Sequence, residues 1–289
     1  MLKGYTKEEK SWMMYDWANS AHSVIIVTLL PIFFDTVAGY TADSVSSMST
    51  WGYATSIAML IVALAAPFLG VFGDIRGMRK KLFSFFMLLG VAACAGMAFT
   101  PGMDFTSGPV AAGKVATLIL VLYIVSVIGF DASAIYYDAF LTDVTTEDRM
   151  DKVSTMGYGL GYIGGSTIPL LIFLIMNLVG VPMLTCLAFV FGLTAVWWLA
   201  FSLPLLKNCE QTSGKPYEKG DVARSIKGVG TTIKEIIANK PMLIYILSYF
   251  FYIDGVHTVI SMATTYGTNL GLDSTGMMLA LLLVQILGL

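Results

Sequence analysis

The side chains with the clearest chemical potential are two histidines, each set among polar residues inside a long apolar stretch. Asn19 and His22 lie in the first stretch, and Asp254, His257 and Ser261 lie in the seventh. Intervals of three or four residues place each group on one face of a helix. Histidine changes charge near neutral pH, so such a face can carry protons or hydrogen-bond a polar solute. The alternative is that both faces hydrogen-bond neighbouring helices.

The stretches that hold these residues are long enough to cross a membrane. Hydrophobic residues make up 56% of the chain and charged residues 12%, about half the ~25% of a soluble domain. This composition nearly excludes a soluble enzyme, and the net charge of −2 argues against a nucleic-acid partner. A membrane-crossing helix needs about 20 apolar residues. Complete spans are predicted at 18–39, 51–72, 82–100, 115–138, 155–179, 184–206 and 242–265, and an eighth begins near 275.

Basic residues predict the orientation of these spans. With the N-terminus in the cytoplasm, 16 of the 17 Lys and Arg residues fall in cytoplasmic segments, and Lys114 alone falls outside. Because basic residues resist translocation, we predict a cytoplasmic N-terminus.

One long polar segment, 207–241, separates six spans from the rest. Residues 1–206 therefore predict a six-helix bundle, and residues 242–289 the start of a second, incomplete bundle. The polar segment carries an apolar stripe at helical spacing: Val222, Ile226, Val229, Ile233 and Ile237. Basic residues interleave with the stripe, which predicts an amphipathic helix on the cytoplasmic membrane surface.

The two histidine segments also match each other. Residues 19–25 read Asn-Ser-Ala-His-Ser-Val-Ile, and residues 254–260 read Asp-Gly-Val-His-Thr-Val-Ile, at a constant offset of 235. The match joins the first span of each proposed half, as expected for a transporter built from two halves related by an axis along the membrane normal.

The loop after the second span carries Gly70, Asp74 and Gly77, followed by Arg79 and Lys80. This pattern resembles the loop signature of the major facilitator superfamily, although an isoleucine follows the aspartate where the signature has a basic residue. We expect Gly70 to allow close helix packing and Gly77 to permit a tight turn. Asp74 would act as a conformational latch by binding a guanidinium or a helix N-terminus. A plain basic cytoplasmic loop is the alternative.

Two further features concern the interior of the spans. Gly157, Gly161 and Gly165 recur every four residues in the fifth span, which predicts a face for close helix packing in lipid. Asp131 lies deep in the fourth span, where an ionisable group is expensive and is a candidate for lining a pathway. Asp138 lies nearer the cytoplasmic end, where we expect it to be hydrated and structural.

Enzyme chemistry is poorly supported. Tyr15-Asp16 and Tyr137-Asp138 resemble half of an intramembrane aspartyl protease, but the matching Gly-x-Gly-Asp is missing. No nucleophile elbow, phosphate-binding Gly-Lys loop or histidine metal pair occurs. The three cysteines have no regular spacing, so they suggest neither a disulfide framework nor a metal site. We predict a protein that is not an enzyme and has no cofactor.

Four separated motifs occur in the order of one family: residues 15–20, 137–143, 149–165 and 254–263. Together they resemble the vacuole-effluxer, or autophagy-related protein 22-like, branch of the major facilitators. The resemblance implies an ion-coupled or facilitative transporter of a small, amino-acid-like solute, in a bacterial plasma membrane. One departure is His22, where an aromatic residue is expected.

Three expectations follow from the residues and from this resemblance. The fold is an all-α integral membrane bundle of the major-facilitator type, with the N-terminal six-helix half and the first one or two helices of the second. Since the family has twelve helices, the chain is either a fragment of a longer gene product or a non-transporting membrane or interaction subunit. As a hypothesis, His257 and Asp254 couple proton movement to solute movement, while His22 and Asn19 bind the solute.

Overall fold

The chain folds into long helices, as seen in a computed structural model that describes residues 2–41, 47–216 and 220–287. The helices that come first are α1 (Lys7–Ala38), α2 (Ser47–Gly73), α3 (Arg79–Met97), α4 (Pro109–Val144) and α5 (Met150–Leu160). A π-helix (Gly161–Ser166) follows, and then α6 (Thr167–Leu178), α7 (Met183–Asn208), α8 (Asp221–Ala238), α9 (Lys240–Asn269) and α10 (Ser274–Leu287).

In the described part of the chain, seven helical segments are long and apolar enough to cross a membrane. They coincide with the seven predicted spans, and the expected all-helical membrane bundle is confirmed. The first helix begins earlier than predicted, at Lys7, because Thr6 and Glu9 form a capping box that satisfies the free amides of its first turn.

Helix α1 contacts most of the helices within residues 1–206. The apolar part of α1 is 72% buried, more than that of any other span. The helix packs against α4, α5, the π-helix and α7. Hydrogen bonds from large aromatic residues reinforce this packing. Trp12 donates from Nε1 to the carbonyl of Tyr137 at 2.9 Å, and the hydroxyls of Tyr15 and Ser133 lie 2.8 Å apart.

Helices α8 and α9 have a different environment. Helix α9 contacts α1 and α2, but most of its side chains are exposed, and Thr264, Thr265 and Gly267 are its buried residues. Helix α8 lies within the predicted polar segment 207–241. Its stripe residues Ile233 and Ile237 are exposed, while the side chains of Val222 and Ile226 lie outside the described part of the structure.

Candidate functional site

The loop signature connects α2 to α3 through a tight turn. Gly77 has φ +80°, in the left-handed region that a residue with a Cβ seldom adopts. Asp74 is 82% exposed, and its Oδ1 lies 3.8 Å from Nη2 of Arg79. Lys80 borders an open groove at the start of α3.

The close contact expected at Gly70 is not found among the described residues. A methyl group added there would meet no described atom within 4 Å, so close packing at this position is not seen. The close approach occurs three residues later, since a methyl group at Gly73 would lie 2.9 Å from the ring of Tyr136. The Tyr136 hydroxyl donates to the carbonyl of Leu69 at 3.1 Å, which holds its ring over this turn of α2.

Arg79 is the buried centre of the loop. Its side chain is 5% exposed and forms an ion pair with Asp143, whose side chain is fully buried. Nη1 of Arg79 also donates to the carbonyl of Ala139 at 3.0 Å. The guanidinium thus joins the start of α3 to the last turns of α4.

A second chain segment covers this ion pair. We call residues 211–215 the strap, since they follow α7 and cross the loop signature. One carboxylate oxygen of Asp143 accepts from the backbone and hydroxyl of Thr212, at 3.1 and 2.9 Å. The same oxygen accepts from the backbone and hydroxyl of Ser213, at 2.8 and 2.7 Å. These hydrogen bonds and the ion pair satisfy a carboxylate that would otherwise be unstable in a buried position.

The histidine of α1 faces the interior of the first bundle. His22 is 2% exposed, and its ring is stacked on Phe130 of α4 with the centroids 4.8 Å apart. Trp198 of α7 contacts it from another direction at 5.0 Å. Neither ring nitrogen has a hydrogen-bond partner among the described residues. Asn19, one turn earlier, is also buried.

The remaining predicted pathway residues do not gather around His22. Asp131 is half-buried, with Oδ2 buried and unpartnered among the described residues. Asp254 and His257 are exposed on α9. Ser261 donates to the carbonyl of His257 at 2.8 Å, a bond within its own helix. The ring contacts of His22 are with α4 and α7, so the structure does not join the two histidines in one cluster.

The glycine face of the fifth span lies against α1. A methyl group at Gly157 would lie 2.5 Å from Oδ2 of Asp16, and one at Gly161 would lie 2.5 Å from Oγ of Ser20. At Gly165 the obstacle is backbone, because the added methyl group would collide with the carbonyl oxygen of Trp17. Gly161 and Gly165 both belong to the π-helix, which packs against α1.

Sequence reasoning also missed a buried charge near the start of α1. The carboxylate of Glu9 is 1% exposed and accepts from Nε and Nη2 of Arg149, at 2.8 and 2.9 Å. Oγ1 of Thr145 also donates to it, at 2.7 Å. The sequence pattern of Thr6 and Glu9 is typical of a capping box and indicates where α1 begins. The Glu9–Arg149 ion pair joins residues that are 140 positions apart, so no local sequence pattern indicates it.

Comparison with known proteins connects this geometry to a family. The sequence profile of the family described as "Vacuole effluxer Atg22 like" matches residues 37–148 and 142–289. The chain is 39% identical to the MFS-type transporter YxiO of Bacillus subtilis strain 168 over 294 residues, with 99% of this chain and 66% of the relative covered.

Two fungal proteins are similar over shorter regions. Autophagy-related protein 22-1 of Penicillium rubens is 26% identical over 148 residues, covering 47% of this chain and 25% of the relative. Autophagy-related protein 22-1 of Sclerotinia sclerotiorum is 26% identical over 131 residues, covering 40% of this chain and 22% of the relative. The chain thus spans just under two thirds of the bacterial relative and about a quarter of each fungal one.

Proposed function

Because the chain belongs to the vacuole effluxer Atg22-like family, we propose that its gene product is a secondary transporter that moves a small solute across a membrane, by ion coupling or by facilitated diffusion. The observation that carries this proposal is the family match, which spans most of a multi-pass membrane chain. The seven apolar helices of the described residues would form part of the two-bundle framework that alternating access uses.

We further propose a two-part organisation for this transporter. Residues 1–206 form the first bundle, residues 207–241 a cytoplasmic linker with an amphipathic helix, and residues 242–289 the start of the second bundle. Contacts of α1 with the other helices of residues 1–206 support the first unit, and the contrast between buried α1 and exposed α9 supports the division. The N-terminus is cytoplasmic in this arrangement, and the membrane is a bacterial plasma membrane.

The proposed solute is amino-acid-like. The resemblance to vacuole effluxers supports this class, and the polar side chains on α9 provide the hydrogen-bonding groups that a zwitterion needs. Uptake of a panel of radiolabelled amino acids into liposomes containing the full-length gene product tests the class. Accumulation of none of them above protein-free liposomes would contradict it.

The proposed pathway residues are Asn19, His22, Asp131, Asp254, His257 and Ser261. Asp254 lies one helical turn before His257, on the same face of α9. Both are ionisable groups on one face of a candidate membrane span, and we assign proton coupling to this pair. His22 lies in an aromatic cage, so any hydrogen bond that it makes to solute requires the rings of Phe130 or Trp198 to move.

The variant His257→Gln tests the coupling role, since glutamine retains hydrogen bonding but does not titrate. We expect uptake driven by a pH gradient to be lost while solute exchange at equal pH continues, which also serves as the control for folding. Normal gradient-driven uptake in this variant would show that His257 is not the coupling site.

A further inference from the structure

The strap is anchored before it reaches the loop signature. Asn208, the last residue of α7, donates from Nδ2 to Oγ of Ser11 at 2.8 Å. Cys209 is fully buried, and its thiol points to the carbonyl of Glu8 at 3.6 Å. These contacts with the first turns of α1 set the direction in which the chain leaves α7.

Gln211 then joins the two helices that flank the loop. Its Nε2 donates to the carbonyl of Gly73, the last residue of α2, at 3.0 Å. Its Oε1 accepts from the backbone amides of Gly77 and Arg79, at 2.8 and 3.3 Å. One amide side chain therefore closes the turn between α2 and α3.

The hydrogen bond from the Arg79 amide to Gln211 caps the N-terminus of α3, which has no capping side chain of its own. The first amides of a helix have no partner within the helix and are normally satisfied by a side chain just before it. The residue at that position is Met78, which makes no side-chain capping bond. Gln211, 132 residues later in the chain, provides the acceptor instead.

Backbone hydrogen bonds extend the contact beyond Gln211. The amide of Lys215 donates to the carbonyl of Asp74 at 3.1 Å, and the amide of Arg76 donates to the carbonyl of Lys215 at 3.0 Å. Lys215 thus pairs with the loop on both sides of Ile75. Ser213 lies between these contacts and accepts from Nη1 of Arg79 at 3.1 Å.

We propose that Gln211 is a positioning residue for the loop signature, and that through it the strap holds the α2–α3 turn closed over the Arg79–Asp143 ion pair. The strap is also the first part of the connection from α7 to α8 and α9. Any displacement of these later helices that pulls the strap away therefore removes the capping bond and opens the loop. Its consequence for transport rests on the proposed function, but the positioning role does not.

Hydrogen–deuterium exchange of the purified full-length gene product in detergent tests the positioning role directly. In Gln211→Met, which keeps the side-chain length but removes all three hydrogen bonds, we expect amides of residues 74–79 to exchange about tenfold faster. Gln211→Glu retains the acceptor for the amides of Gly77 and Arg79 but loses the donor to the carbonyl of Gly73. We therefore expect its exchange rate to lie between those of the wild-type protein and Gln211→Met. The neighbouring exposed residue supplies a matched control, Glu210→Gln, which should leave the exchange unchanged. Unchanged exchange in Gln211→Met would overturn the proposal.

Transport provides a second, separable measurement. We expect Gln211→Met to lower the turnover rate several-fold while KM for the solute stays within about twofold, because the loop lies away from the candidate solute residues. A large rise in KM at normal turnover would contradict a positioning role. If the loop opens in the variant but the wild-type protein moves no solute, the proposed function fails and the positioning role stands.

Discussion

Arg79 at the start of α3 and Asp143 at the end of α4 form an ion pair in which both side chains are almost completely buried. The pair joins two spans whose sequence positions are 64 residues apart. Its carboxylate is further satisfied by four hydrogen bonds from Thr212 and Ser213. The ion pair and these hydrogen bonds therefore hold α3, α4 and the strap together.

Asp143→Asn should destabilise the protein strongly, because it leaves the buried guanidinium of Arg79 without a compensating charge. We expect a loss of about 3 kcal/mol in the free energy of unfolding, measured by denaturant unfolding in detergent micelles. Asp74→Asn is the matched control: its carboxylate is 82% exposed and 3.8 Å from Arg79, so the loss should stay below about 1 kcal/mol. Similar losses of unfolding free energy in the two variants would contradict the larger stabilising role of the buried Arg79–Asp143 pair.

Asp74→Asn should nevertheless impair transport. In the proposed latch, Asp74 stabilises one conformation of the loop and does not contact solute. We therefore expect turnover by the full-length gene product to fall several-fold while the dissociation constant for the solute is nearly unchanged. Turnover is measured in liposomes, and solute affinity by equilibrium binding in detergent. A large loss of affinity with normal turnover would show that Asp74 belongs to the solute site.

Two glycines of the fifth span offer a direct comparison of packing. A methyl group at Gly165 would collide with backbone of α1, whereas one at Gly159 would meet no described atom within 4 Å. Gly165→Ala should therefore cost about 1–3 kcal/mol in unfolding free energy. Gly159→Ala should be neutral or stabilising by up to about 1 kcal/mol, because alanine favours helix. Thermal unfolding followed by tryptophan fluorescence ranks the stabilities of the two variants. Equal stabilities would contradict the close contact between Gly165 and the backbone of α1.

The membrane topology can be checked with introduced cysteines at two exposed positions. Lys234→Cys should react with a membrane-impermeant maleimide from the cytoplasmic side, and Lys114→Cys from the opposite side. Native thiols should interfere little, since all three are buried and burial raises the pKa of Cys209 to about 12. At neutral pH that thiol carries almost no reactive thiolate. Reaction of both introduced cysteines from one side would refute the orientation.

The sequence predicted features that depend on local periodicity. Runs of apolar residues identified the seven spans, and the positive φ of Gly77 is what a glycine in a short loop suggests. Spacing also placed His22 on a polar face with Asn19, but periodicity does not indicate which neighbour that face meets. The aromatic rings of Phe130 and Trp198 that enclose His22 come from distant helices.

Contacts between distant segments were beyond sequence reasoning. Gln211 lies 134 residues from Gly77, and nothing in the polar linker distinguishes it from its neighbours. Gly70 and Gly73 lie about one turn apart on α2, and the sequence does not indicate that Tyr136 packs against Gly73. The π-helix likewise reflects the fit of Gly161 and Gly165 against α1, a tertiary effect that helix propensity alone does not contain.

Counterflow tests solute movement most directly, because exchange of a preloaded solute for external label needs no ion gradient. Liposomes containing the full-length gene product and preloaded with individual amino acids should accumulate the matching radiolabelled amino acid transiently, for at least one member of the panel. Asp74→Asn should slow that accumulation. If the folded protein, verified by its tryptophan fluorescence, exchanges no amino acid faster than protein-free liposomes, the proposal that it transports an amino-acid-like solute is contradicted.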